Sequence, residues 1–154
     1  MGGKQVINRF VVLLLLFPLL AGVAHSANNL RLNPHLDYSS DGNDGPLITG
    51  DRLQDGIVAG RPNYILIYGE GCFNSKRQAR RTVELYGTYR GRVNFVVIDL
   101  DVPLKDAQQE LLSRFYRGYI PHVVVLDTSG NPVYNSSGEV QFATISAILD
   151  RLLK

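Results

Sequence analysis

The 154-residue chain is 45% hydrophobic, 19% charged and 9% aromatic, with a formal charge of +2 and a pI of about 8.8. That length fits one domain around one core, the apolar share excludes global disorder, and the charge is too mild to point to nucleic acid. A single cysteine, Cys72, excludes an internal disulfide and a multi-cysteine zinc site, and His25, His35 and His122 are too widely spaced for a histidine metal motif.

Residues 1–26 read as a secretory signal. Lys4 and Arg9 precede the apolar run Val11–Ala24, and the small residues Ala24 and Ser26 flank His25 ahead of Ala27. The alternative is an uncleaved membrane tether, although a span takes about 20 apolar residues and this run is shorter and broken by Pro18. Removing Lys4 and Arg9 from the 16 basic residues leaves 14, equal to the 14 acidic ones, so the basic pI belongs to the leader. The expected location is exported, periplasmic or extracellular, or else anchored by this segment. Export also gives an odd cysteine meaning. In oxidising surroundings it is a reactive or intermolecular thiol, or a buried inert one.

Residues 27–49 are rich in Asn, Asp, Ser, Gly and Pro and read as a flexible lead-in. In 50–62, Leu53 and Ile57 are spaced for one helix face, with Asp51 as cap, Gly60 as stop and Pro62 beyond it. Tyr64–Tyr68 is a continuous apolar run suited to a buried central strand. A helix is expected from about Cys72 to before Gly91, with Ala79, Val83, Tyr86 and Tyr89 inward and Lys76, Arg77, Arg80 and Arg81 on a solvated face. Contact of that basic face with anionic clients or glutathione is the minority reading.

Val93–Leu100 is a second buried strand. Residues 105–117 are helical, with Ala107, Leu111 and Phe115 in register, and Pro121–Asp127 is a third strand. A turn at 128–131 leads to an edge strand at 132–135. A helix over 140–153 closes the chain on Ile145, Ile148, Leu149 and Leu152. Strands alternating with helices predict an α/β fold, a mixed central sheet with helices on both faces.

The chemistry concentrates at Cys72, where a central strand passes into a helix. Unpaired amides and the positive end of the helix dipole favour a thiolate there, and Lys76 and Arg77 add positive potential. Glu70 opposes it if it points at the sulfur. Ser75 either donates to the thiolate or caps the helix. Ile120-Pro121 is a plausible cis bond opening the third strand. His122 beside it reads as a partly buried neighbour rather than a base, and Tyr86, Tyr89, Tyr116 and Tyr119 as packing residues. Asn135-Ser136-Ser137 is a glycosylation acceptor only in a eukaryotic source.

YILIYGEGC followed by FNS, VNFVVIDLD, and RFYRGYIPHVVVLDTSGNPV with a Gly138 turn into the last helix resemble, in order and spacing, the thioredoxin-like superfamily. The resemblance covers about residues 50–154. It implies that Cys72 is the attacking cysteine, that Ser75 replaces the resolving one, and that Pro121 is the cis-proline. Phe73, Asn74, Ile120, Pro121 and His122 would border the substrate. Leu66 stands where many members bury an acid, and Arg80 where many have a kinking proline.

A Cys-x-x-Ser site cannot cycle as a dithiol. Exchange through a mixed disulfide would wait for an outside thiol. The resemblance therefore implies a monothiol or isomerase-like exchanger acting on cysteine-containing exported proteins or glutathione. Two alternatives stand beside it, a redox-inactive binding or assembly module using the same groove and a dimer joined through Cys72. No cofactor, metal or nucleic-acid partner is expected.

Overall fold

The computed structural model describes residues 27–42 and 45–154. The signal-like stretch lies outside the described residues. A two-stranded antiparallel sheet comes first, β1 (Asn28–Leu32) with β2 (Ile48–Asp51). The central sheet holds β3 (Asn63–Tyr68), β4 (Asn94–Asp99), β5 (His122–Leu126) and β6 (Pro132–Ser137) in the order β4-β3-β5-β6. The β3–β4 pair is parallel across α1 (Phe73–Tyr89), whereas β5 and β6 each run antiparallel to their neighbour. Helices α2 (Asp106–Phe115) and α3 (Phe142–Leu152) complete the α/β fold.

Strands β3, β4 and β5 are buried along their whole length, as unbroken Val, Ile, Tyr and Leu runs require when both faces are covered. Alternation then sorts the side chains. Tyr64, Leu66 and Tyr68 enter a core shared with α1, α3 and the β1–β2 sheet, and Ile65 and Ile67 enter a second core under α2. Leu66 is fully enclosed in the first core.

Two expectations are corrected. Residues 27–49 are not a loose lead-in. They supply β1 and half of β2, and Ala27, Leu30, Tyr38, Leu47 and Ile48 are buried in the larger core. Nor is there a helix over 50–62. Ile48–Asp51 is committed to β1, Arg52 takes a left-handed φ of 54°, and Leu53 and Ile57 pack on opposite cores, which one helix face cannot do. Asn63 Oδ1 accepts from the Val58 amide at 2.8 Å and Asn94 Nδ2 donates to the Gly56 carbonyl at 3.1 Å, pinning the segment as irregular backbone.

Candidate functional site

The carboxyl ends of β3 and β4 and the start of β5 meet at one edge of the central sheet, the place where open α/β sheets leave a crevice. Gly69–Gly71 leads from β3 into α1. Cys72 is the N-cap residue, extended at φ −92° and ψ 121°, and its carbonyl accepts the first helical bond from the Lys76 amide at 3.0 Å. The cysteine is free and partly exposed. It lines a pocket of about 410 Å³ with Gly69, Gly71, Leu100, Asp101 and Ile120. The Ile120–Pro121 bond is cis. A Cβ on Gly69 would fall 2.7 Å from Ile120 Cδ1, so the missing side chain lets Ile120 close on this pocket.

The first turn of α1 differs from its sequence reading. Ser75 is completely buried, and its Oγ has no hydrogen-bond partner among the described residues, so it neither reaches the sulfur nor caps the helix. Lys76 is buried rather than solvated, and its Nζ donates to the Asp37 carbonyl at 2.7 Å. Arg77 and Arg81 both bind Glu139, Arg81 at 2.6 Å, while the Arg80 guanidinium lies 5.5 Å from the Tyr38 ring centre. The basic face is therefore largely tied to the protein itself. Asn74 is exposed. Phe73 is partly buried under the Arg77 guanidinium, 5.4 Å from its ring centre.

Four acidic side chains surround the Cys72 turn, and the sequence reading passes over three of them. Asp41 Oδ1 accepts from the Phe73 amide at 2.7 Å, filling one of the open donors at the start of α1. Asp101 Oδ2 accepts from the Glu70 amide at 2.7 Å. Asp99 accepts from the Tyr68 hydroxyl at 2.8 Å and from the Asp101 amide at 3.0 Å. Burial first, and the neighbouring Asp99 carboxylate second, push Glu70 up to about 7. The signal for Asp99 and Asp101 was the Asp-Leu-Asp exit of a parallel strand. Asp41 had no local signal, because its contact spans 32 positions.

The remaining candidates divide. Pro121 is buried, and its carbonyl accepts from the Gly138 amide at 2.7 Å. His122 is fully buried. Its Nε2 faces Asn135 Oδ1 at 2.6 Å and its Nδ1 faces Ser137 Oγ at 2.8 Å. The carbonyl acceptor of Asn135 assigns the proton to Nε2. With both nitrogens engaged by β6 and the ring edge-on to Tyr116, His122 is corrected from a substrate contact to a sheet residue. Tyr86 and Tyr89 are buried and Tyr116 is half-buried, as packing residues should be. Tyr119, next to Ile120, is 73% exposed and does not pack. The site thus gathers Cys72 and Ile120 around one pocket, with Phe73 and Asn74 on the outer helix turn.

No family model matches the chain. A curated relative, the thiol:disulfide interchange protein TxlA homologue of Synechocystis, is 31% identical over 87 residues. That match takes in 56% of this chain, which spans about half (47%) of the relative's length. Among solved structures, an uncharacterised thioredoxin-like protein from Clostridium perfringens superposes with a TM-score of 0.51 at 21% identity, over 62% of this chain and 73% of that one. Thioredoxin-2, a component of the malaria parasite's protein secretion machinery, gives 0.51 at 16% identity, over 62% and 86%. These likenesses show that the chain has a thioredoxin-like fold.

Proposed function

We propose that the chain performs thiol–disulfide exchange of the monothiol type through Cys72, in an exported setting. The observation that carries this reading is the placement of a partly exposed cysteine at the N-cap of α1, in a pocket it shares with Ile120. The Cys72 thiolate attacks one sulfur of a partner disulfide. One S–S bond forms, another breaks, and the partner's second sulfur leaves as a thiolate. An external thiol such as glutathione then attacks the partner's sulfur in the mixed disulfide, forming a new S–S bond with the partner and releasing Cys72 as a thiolate, so no net electrons are gained or lost by the chain. Ser75 stands where a resolving thiol would be, which makes the external step obligatory. The exposed Tyr119 and the Ile120 backbone offer the edge along which an extended client would lie. The thiol:disulfide interchange relative supports the redox role, and the leader-like residues 1–26 support export.

The full chain incubated with oxidised glutathione, or with extracts of its native compartment, is expected to form Cys72-dependent mixed disulfides that added thiol releases. These are read on non-reducing gels and by intact mass. Failure to form any adduct, with Cys72 alkylated no faster than a free cysteine, would overturn the reading. A second reading is a redox-inactive binding module, favoured by the orphan Ser75 and the exposed Tyr119. It expects Cys72→Ala to keep its clients and Tyr119→Ala to lose them.

A further inference from the structure

The first described residues do more at α1 than extend the core. Between β1 and β2, Asp37–Gly42 runs across the start of the helix and is fastened on both sides of Cys72. Asp41 takes the Phe73 amide at 2.7 Å, and the Gly42 amide donates to the Gly71 carbonyl at 3.2 Å. Further along the helix, Lys76 Nζ donates to the Asp37 carbonyl at 2.7 Å, and Arg80 lies over Tyr38, whose hydroxyl is bound into the core by the Leu47 carbonyl.

We propose that Asp41 is a positioning residue that holds Cys72 in check, its carboxylate occupying the amide end of α1 that a Cys72 thiolate would otherwise use. Anions near a helix start compete for the same amides and the same field. Asp41 is covalently present and already seated, so it lowers the gain available to a second negative charge one residue away. Ser75 is the independent sign that the turn is built for an acceptor it does not hold. Its hydroxyl is fully buried, one turn in from Cys72, with no partner among the described residues. A buried hydroxyl is costly to leave unpaired, and a thiolate turned inward would supply its acceptor. Removing the Asp41 charge therefore favours the charged sulfur by taking a competing anion away from the amide end of α1. The other charges around this turn are Glu70 before it, Asp99 beside Glu70, Asp101 across the pocket, and Lys76 and Arg77 along α1.

The inference rests on Cys72 being the working group of the proposed exchange, yet its test needs no client. The second-order rate of Cys72 alkylation by iodoacetamide, a neutral probe, is followed against pH in the full chain. Asp41→Asn keeps an oxygen for the Phe73 amide and removes the charge. Its profile is expected to shift to lower pH, with the neutral-pH rate rising roughly two- to fivefold, the span one charge exerts at a helix terminus. Asp41→Glu keeps the charge and is expected to retain the native profile. Three outcomes overturn the proposal: an unmoved Asp41→Asn profile, an equal shift in Asp41→Glu, or acceleration in Asp41→Ala alone, which would mark simple uncovering. Absence of trapped disulfides with a shifted Asp41→Asn profile would sink the exchange reading and leave this one standing.

Discussion

The Tyr68 hydroxyl donates to Oδ2 of Asp99 at 2.8 Å, joining two residues that face each other in the β3–β4 register. That bond fixes a carboxylate at the carboxyl end of the sheet and gives Glu70 a like-charged neighbour. An acid raised by folding stabilises below its unfolded value of 4.5, and that contribution is lost as pH rises through about 7. Stability in urea is therefore expected to fall between mildly acidic and mildly alkaline pH. Glu70→Gln should flatten that slope. An unchanged slope in the variant would remove Glu70 as its source.

Glu139 responds in the opposite sense. Burial alone would raise its carboxyl, and hydrogen bonds from Arg77 and Arg81 overcome this and hold it below the usual range. Its side chain is only 12% exposed, so the pair is screened less than a surface bridge. The stabilisation is present above the usual glutamate range and is lost as pH falls through the lowered value. Glu139→Gln is expected to cost about 1–2 kcal/mol at neutral pH and almost nothing in strong acid, measured by denaturant midpoints at both ends.

Ser75 separates stability from reactivity. Ser75→Ala removes an unsatisfied buried hydroxyl, so thermal stability is expected to stay level or to gain about 1 kcal/mol. Alkylation of Cys72 should be unchanged in the same protein, because the Ser75 hydroxyl does not reach the sulfur. Ser75→Cys introduces a second thiol three residues after Cys72 and is expected to allow an internal disulfide, seen as two thiols protected from alkylation after oxidation. A clear loss of stability in Ser75→Ala would show that the hydroxyl has a partner in solution.

Gly50 tests the β1–β2 sheet. A Cβ there would come 2.7 Å from the Asn28 carbonyl oxygen and 3.1 Å from Leu30 Cδ2. The first of these is backbone and cannot swing aside, so Gly50→Ala is expected to destabilise by about 1–3 kcal/mol. Amide exchange should rise first in β1 and β2.

Legibility in the sequence followed the range of the interactions. β3, β4 and β5 were readable because each is a continuous apolar run, and α1, α2 and α3 because their spacing and stops are local. β1 and β2 were not, since only Leu30 and Ile48 of their nine residues are buried and their pairing joins positions about 20 apart. Lys76 looked like a surface charge because charge normally seeks water. Its burial depends on Asp37, 39 positions away. The thiol turn was visible from Gly71-Cys72 and Pro121, whereas Asp41, Asp99 and Asp101 beside it came from two other segments. His122 stood beside the proline in sequence, and strand alternation turned its ring away to the other face.

The underside of α1 carries Ser75, Lys76, Gln78 and Thr82 among its buried residues, and Gln78 bridges the Tyr64 hydroxyl and the Val140 amide. An oily stripe tolerates sliding by a fraction of a turn, because dispersion has no preferred direction. Directional bonds do not, so this helix has one seat on its sheet, and the angle at which its leading sulfur meets an incoming disulfide is set from below.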